Sequence, residues 1–243
     1  MPSTCSALVT CSALVKRALI KRVVTSAMAA VLLAGCVGHD KGLGIGNGPP
    51  LPGLPDRVEL GSVPFYRGEA FHGSALALSA LLTLQGVSIT PGLLEPTLHL
   101  PDDVKDLPKS VPDAAREFGM VVYPLDPTLN ALLVQVAAGY PVLVRYTEGS
   151  MFWSEPRYAL LVGYDRFRRH VLLRAGNERR KLMSFDKFDS AWTDAGHWSV
   201  LVLRPSQLPA QIDHERWLQA AHDLAQAGQE EAAAVAVKAA ASR

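Results

Sequence analysis

The sequence is poor in cysteine: it has three, and none lies beyond position 36. Residues 37–243 therefore contain no thiol. This absence excludes a disulfide-stapled scaffold, a thiolate metal site and a cysteine nucleophile from that part of the chain. The seven histidines show no metal-ligand spacing together with carboxylates, so we expect neither a metal nor a cofactor.

Acidic residues are absent from residues 1–35, which carry four bases. An apolar run from Val23 to Leu33 follows these bases and ends in the small residues Ala34 and Gly35. A basic start, a short apolar run and small residues before a cleavage point are typical of a secretory signal peptide. The run is too short to span a bilayer as a finished helix. We therefore predict a signal peptide over residues 1–35.

The four residues Leu33-Ala34-Gly35-Cys36 resemble the lipobox of bacterial lipoproteins. The resemblance implies cleavage before Cys36 and lipidation of Cys36, and the alternative is an ordinary signal peptide that ends in cysteine. Val37 follows, where an aspartate would favour retention in the inner membrane. We therefore expect a protein anchored by lipid to the bacterial outer membrane and facing the periplasm.

The remaining chain has a small net charge and two composition zones. Residues 36–243 hold 20 bases and 23 acids, a net charge of −3, which argues against nucleic acid as a partner. Residues 36–55 are rich in glycine and proline and cannot build a core, so we interpret them as a tether. Residues 56–205 carry the periodic apolar segments and are predicted to form the folded domain.

The domain is predicted to begin with helices and to continue with antiparallel strands, which indicates an α+β fold. A strand over 63–66 runs into a helix that starts near Gly73 and has an apolar face through Leu82. The segment 158–164 is apolar almost throughout, so we expect a central strand buried on both faces. Further helices are predicted over 93–98, 112–118, 128–138 and 185–192, and further strands over 120–125, 141–146, 170–174 and 197–203.

The tail over 209–243 is predicted to form two amphipathic helices divided by Gly228. The spacing of its apolar residues is that of one tetratricopeptide repeat, a pair of antiparallel helices. A single repeat cannot bury its face alone, so the pair should dock on the domain or on another protein. The alternative is an alanine-rich capping pair without a partner.

Short motifs follow one another over residues 63–205: Val63-Pro64-Phe65, the apolar helix to Leu82, Gly139–Val144, Tyr158–Asp165, Leu173–Gly176, Trp192 and Gly196-His197-Trp198. In this order they resemble the C39-like peptidases, in particular bacterial lipoproteins that join such a domain to tetratricopeptide repeats. The resemblance implies a papain-like fold, with helices packed on an antiparallel sheet.

The resemblance also implies a glutamine that helps to hold the oxyanion, a cysteine nucleophile at the helix start and a histidine base at the start of a later strand. Matched without gaps, the oxyanion position is Gly68, the nucleophile position Gly73 and the base position Arg157; a shift of one residue puts His72 at the nucleophile position. Glycine offers no nucleophile, and arginine stays protonated and cannot act as a base. The chain is thus expected to be a degenerate peptidase.

Three functions fit these observations. The first is a pseudopeptidase that binds a peptide or protein in the inherited groove, through His72, Ser74, Trp153, Arg157 and Tyr158, with Arg157 available for a ligand carboxylate. The second is a hydrolase with a site rebuilt from Ser74 or His72, although a serine that caps the helix is the plainer interpretation of Ser74. The third is a structural subunit of an envelope secretion or export assembly.

Seven bases cluster around the predicted hairpin over 166–181. Such a cluster could contact an anionic polymer or lipid head groups, or it could be the solvated end of a hairpin. The sequence leaves both interpretations open.

Overall fold

The computed structural model describes residues 53–100, 105–150 and 153–242, which belong to one compact unit. The predicted signal peptide, Cys36 and most of the predicted tether lie outside these residues. Within the described ranges, no helix is long and apolar enough to cross a membrane.

Helices pack on an antiparallel sheet, so the predicted α+β class is confirmed. The strands are β1 (Arg57–Glu59), β2 (Val121–Pro124), β3 (Val142–Ser150), β4 (Trp153–Asp165), β5 (His170–Ala175), β6 (Glu178–Ser184) and β7 (Ser199–Leu203). The helices are α1 (Gly73–Leu84), α2 (Pro91–Leu94), α3 (Leu107–Glu117), α4 (Leu129–Ala137), α5 (Phe185–Asp194), α6 (His214–Gln226) and α7 (Glu230–Ala241).

The strands are ordered β2-β7-β3-β4-β5-β6, and β1 pairs with the end of β4. Successive side chains of β4 point to opposite faces of the sheet. Ala159 and Leu161 belong to a core shared with α4–α7, whereas Tyr158, Leu160 and Val162 belong to a second core shared with α1–α3. The prediction of a central strand buried on both faces is therefore confirmed.

Helix α1 starts at Gly73, as predicted, and every residue from Gly73 to Leu82 is buried. Because this helix is apolar nearly all round, it lies inside the domain rather than on its surface. A 3₁₀ turn over Ala70–His72 leads directly into it. The helix therefore presents its N-terminal end to the middle of the sheet.

Three predicted elements differ from the structure. Residues 63–66 form no strand, and β1 is the segment that pairs with the end of β4 instead. Val63 is buried in the core, and the next residue, Pro64, has no N–H to donate to a neighbouring strand. Helix α3 begins at Leu107, not at Pro112, because Pro108 already occupies its first turn. Strand β6 was not among the predicted strands, because its three consecutive bases give this exposed edge strand no alternating apolar pattern.

The tail docks on the domain, which was one of the two predicted arrangements. Trp217 of α6 is fully buried, packs 6.0 Å from the ring of Tyr123 on β2 and donates its Nε1 proton to the carbonyl of Ala236 on α7 at 2.9 Å. The backbone N–H of Asp213 donates to the hydroxyl of Tyr123 at 2.9 Å. Side chains of α6 and α7 thus complete the core on the β2 side of the sheet.

Candidate functional site

The N-terminal end of α1 lies directly against β4. An ideal Cβ on Gly73 would come within 2.8 Å of the backbone oxygen of Tyr158. Arg157, the predicted base position, immediately precedes Tyr158 in the chain. Gly73 and the segment that contains Arg157, the two positions that the family resemblance predicted for the nucleophile and the base, thus lie next to each other.

No side chain fits at Gly73 without a movement of the backbone. The atom in the way is a main-chain oxygen of β4, which is fixed by the sheet. The cavity between Gly73, Tyr158 and Arg174 holds only about 10 Å³, roughly the space that one water needs. The packing is therefore shaped around a glycine here, and it leaves no room for a nucleophilic side chain.

A larger pocket of about 130 Å³ lies beside this contact, and we call it the groove pocket. It lies between β3, β4, the β5–β6 turn and the 3₁₀ turn before α1. Its lining residues are Ala70, Tyr146, Glu148, Arg157, Tyr158, Ala175, Gly176, Asn177, Glu178 and Lys181. The pocket shares Tyr158 and Gly176 with the small cavity where α1 meets β4.

The charges of the groove pocket are paired within the protein. Arg157 Nη2 lies 2.6 Å from Glu155 Oε2, and Arg157 Nε lies 4.0 Å from Glu148 Oε2. Lys181 Nζ lies 2.5 Å from Glu148 Oε1 and 3.0 Å from Glu178 Oε1. Arg157 is consequently not a free cation, and a ligand carboxylate would have to displace Glu155 to reach it.

Burial sets the ionisation of the pocket's tyrosines. Desolvation raises the pKa of Tyr146 to about 12 and raises that of Tyr158 well above its usual value. Burial alone would lower the pKa of Lys181, but its hydrogen bonds to Glu148 and Glu178 raise it. Both tyrosines thus stay neutral and Lys181 stays charged at physiological pH, so the pocket has hydroxyl groups but no general base among these residues.

The two residues of the predicted rebuilt hydrolase are not hydrogen-bonded to each other through their side chains. His72 Nδ1 lies 2.8 Å from Glu95 Oε1 on the chain that follows α2. Ser74 is fully buried, and its Oγ has no hydrogen-bond partner among the described residues. Ser74 also does not cap the helix, because His72 occupies the N-cap position.

Two of the five residues that were predicted to bind a ligand in the groove line the groove pocket, and the other three do not. Arg157 and Tyr158 line the groove pocket, whereas His72, Ser74 and Trp153 are not among its lining residues. Trp153 is 60% exposed at the start of β4. Gly68 lies close by, since its N–H points to the Gly176 carbonyl at 3.4 Å and a Cβ on it would lie 3.1 Å from the Leu76 side chain.

Most bases of the 166–181 cluster have acidic or carbonyl partners. Arg166 donates to the Leu54 carbonyl at 2.8 Å, Arg169 lies 2.8 Å from Asp186, and Arg180 lies 2.9 Å from Glu59. The cluster is therefore largely neutralised by the protein itself. Arg174 differs from the others, because it is buried.

Sequence reasoning missed the acidic half of the groove pocket. Glu148, Glu155 and Glu178 hold Arg157 and Lys181, yet none of the three was among the predicted site residues. A usable signal was present in Glu148 and Glu155, which face each other across the β3–β4 hairpin. In the described ranges, no group of three histidine, cysteine, aspartate or glutamate side chains is placed to hold a metal ion.

Comparison with known proteins gives only distant structural likenesses. No protein-family model matches the chain, and no curated protein matches it. A crystal structure described as a C39-like peptidase of Bacillus anthracis is similar at 16% identity and a TM-score of 0.49, covering 62% of this chain and 98% of that one. Xylellain, a cysteine protease of Xylella fastidiosa, is similar at 10% identity and a TM-score of 0.44, covering 62% of this chain and 86% of that one.

Proposed function

We propose that this chain is a lipid-anchored envelope protein with a degenerate C39-like peptidase domain that binds a peptide or a protein in its groove pocket. The observation that carries the proposal is the contact between Gly73 and β4. The two positions that the family resemblance assigns to nucleophile and base lie side by side, yet one holds a glycine that admits no side chain and the other an ion-paired arginine.

The groove pocket is suited to a polypeptide rather than to a small apolar ligand. Its lining combines hydroxyl, amide, carboxylate and cationic groups with the β5–β6 turn, where Gly176 is partly exposed and Asn177 is exposed. Such groups can donate to and accept from the main chain of an extended peptide. The paired charges would favour a ligand that carries both signs, because each ion pair can be exchanged only for another.

Photo-crosslinking in the intact envelope tests this proposal. A photoreactive residue replaces Asn177, which is exposed, lines the pocket and takes no part in its ion pairs. The matched control replaces Lys187, which is exposed on α5 and is not among the pocket's lining residues. We expect one defined peptide or protein to be captured from position 177 and not from position 187.

Equal capture from both positions, or no capture from either, would contradict the groove proposal. A third probe at Gln219, which is exposed on α6, distinguishes groove binding from the alternative of a structural subunit. Capture from Gln219 alone would place the contact on the helical pair rather than in the groove.

The hydrolase alternative predicts cleavage that depends on Ser74 or His72. We expect none, because the Ser74 hydroxyl is buried and His72 is engaged with Glu95. Incubation of the protein with casein and a peptide library, followed by mass spectrometry of new chain termini, measures this. New termini that disappear in Ser74→Ala or His72→Gln would overturn the pseudopeptidase proposal.

A further inference from the structure

The turn between β4 and β5 exposes an aromatic ring among bases. Phe167 is 92% exposed, the highest value among the large apolar side chains of the described ranges. Three arginines flank it within the turn, and Arg57 lies opposite the end of β4 in the pairing of β1 with β4. We call this end of the sheet, residues 54–57 and 165–169, the tip.

The chain enters the domain at the tip. Arg166 Nη1 donates to the carbonyl of Leu54 at 2.8 Å, and the backbone N–H of Arg166 donates to the carbonyl of Asp56 at 2.8 Å. The structure is described from Gly53 onward, so the predicted tether from Cys36 joins the domain here. Even fully extended, the tether before Gly53 spans at most about 60 Å.

The tip is positively charged, although the chain after the predicted leader is not. Residues 54–57 and 165–169 hold four arginines and two aspartates, a net charge of 4 − 2 = +2, whereas residues 36–243 carry −3. Arg57 and Arg168 are exposed and have no ion pair among the described residues. An anionic surface is therefore attracted to this end of the domain.

A cavity of about 470 Å³ lies beside the tip and is lined by both of these arginines. Of its carboxylates, that of Glu59 lies 2.9 Å from Arg180. The other, that of Asp165, accepts the backbone N–H of Arg168 at 2.8 Å. Leu182, which is 63% exposed, adds an apolar wall. The volume is in the range of ligand pockets, and the guanidinium groups suit a phosphate.

We propose that the tip lies on the membrane that holds the lipid anchor, with Phe167 among the head groups and Arg57 and Arg168 on phosphates of anionic phospholipids. Aromatic rings and long arginine side chains suit this interface between apolar and polar layers. This inference rests on the proposed lipid anchor at Cys36. The anchor keeps the tip close to the bilayer, so a contact too weak to hold a free protein is sufficient.

The proposed orientation leaves the groove pocket accessible. Strand β4 has 13 residues, so up to about 40 Å separates Trp153 from Asp165 at its two ends. The groove pocket lies towards the Trp153 end, because Arg157 and the β5–β6 turn line it. With the tip on the membrane, the pocket therefore faces away from the bilayer.

Photo-crosslinking to lipid in the intact envelope tests the orientation. A photoreactive phenylalanine derivative replaces Phe167, which keeps an aromatic ring at the tip. The matched control carries the same derivative at Trp153, an aromatic residue that is 60% exposed at the other end of β4. After irradiation and proteolysis, we expect mass spectrometry to find a phospholipid on the peptide with position 167 and none on the peptide with position 153.

The same digest shows whether Cys36 is acylated, so the two failures are distinguishable. Acylated Cys36 with no phospholipid at position 167, or with equal amounts at positions 167 and 153, would overturn the orientation and leave the anchor standing. Cys36 without an acyl group would overturn the anchor and this inference with it. Peptide capture in the groove is measured from position 177 and depends on neither result.

Purified lipidated protein in vesicles tests the role of charge. We expect position 167 to capture more lipid in vesicles of phosphatidylglycerol and phosphatidylcholine than in vesicles of phosphatidylcholine alone. In the anionic vesicles, Arg57→Gln and Arg168→Gln should each lower capture by up to about fivefold. Arg179→Gln is the control, because this exposed base follows the β5–β6 turn at the far end of β5. Equal capture in both kinds of vesicle, or in all three variants, would contradict the contact with anionic lipid.

Discussion

The backbone oxygen of Tyr158 occupies the space that a side chain at Gly73 would need, at 2.8 Å from an ideal Cβ. The contact joins the start of a buried helix to the central strand of the sheet. A single substitution therefore cannot place a nucleophilic side chain at this position without a shift of the backbone, because the main chain of β4 lies against the glycine.

Gly73→Ala should therefore lower the free energy of unfolding by about 1–3 kcal/mol, since α1 or β4 must shift to admit one methyl group. Gly92→Ala is the control, because an added Cβ there meets nothing within 4 Å. Chemical denaturation of both variants measures the difference. An unchanged stability of Gly73→Ala would show that the contact is looser than described.

Ser74→Ala should leave stability unchanged or raise it by up to about 1 kcal/mol, because it removes a buried hydroxyl that has no partner among the described residues. Alanine also has a higher helix propensity than serine. Ser190→Ala, at an exposed position of α5, is the control for that contribution. Urea denaturation of both variants gives the comparison. A loss above about 1 kcal/mol for Ser74→Ala alone would reveal a hydrogen bond to its Oγ.

Trp217→Ala should destabilise the whole domain by about 3–5 kcal/mol, because the indole is fully buried and bridges α6, α7 and β2. Leu218→Ala, at a side chain that is 46% exposed, should cost less than about 1 kcal/mol. One cooperative transition is expected for both variants by circular dichroism. Loss of the tail signal before that of the sheet would show that the helical pair is a separate unit.

The free energy of unfolding should fall as the pH rises from 10 towards 12, and Tyr146 should contribute to the fall. Its pKa is raised from 10.0 to about 12 in the folded protein by burial, so above pH 10 the unfolded chain loses this proton first and is favoured. Tyr146→Phe removes the titrating group and should flatten the pH dependence in that window. Denaturation curves at several alkaline pH values test this, and an identical slope in both proteins would refute it.

Cys36→Ser should abolish incorporation of labelled palmitate and release the protein from the membrane fraction. The prediction rests on the sequence Leu33-Ala34-Gly35-Cys36 and on the absence of any other cysteine after position 11. Cys11→Ser is the control and should leave labelling intact, because residue 11 lies in the predicted leader. Labelling of Cys36→Ser at the wild-type level would contradict the lipoprotein assignment.

The sequence predicted the parts of the fold that depend on apolar pattern. The start of α1 at Gly73, the central strand β4 and the division of the tail at Gly228 all followed from hydrophobic spacing and glycine placement. Strand β6 was missed because Arg179, Arg180 and Lys181 give it no alternating apolar pattern. Its pairing with β5 is visible only in the structure. A charged edge strand lacks the apolar periodicity from which strands are predicted.

The site was predicted only in part, for a different reason. The sequence identified Gly73 and Arg157 but could not show that a carbonyl closes on one and that Glu155 pairs with the other. It also grouped Arg174 with the surface bases, although Arg174 alone among them is buried. Burial and ion pairing arise between residues far apart in the chain, so local patterns do not contain them.

The docking of α6 and α7 has a consequence for the order in which the chain can fold. Trp217 and Ala236 complete a core whose other walls come from β2, β7 and α4. A chain that emerges from its N-terminus cannot close this core until residues 214–241 have emerged as well. Until then the apolar face of β2 and β7 stays exposed, which favours binding by a chaperone and delays compaction.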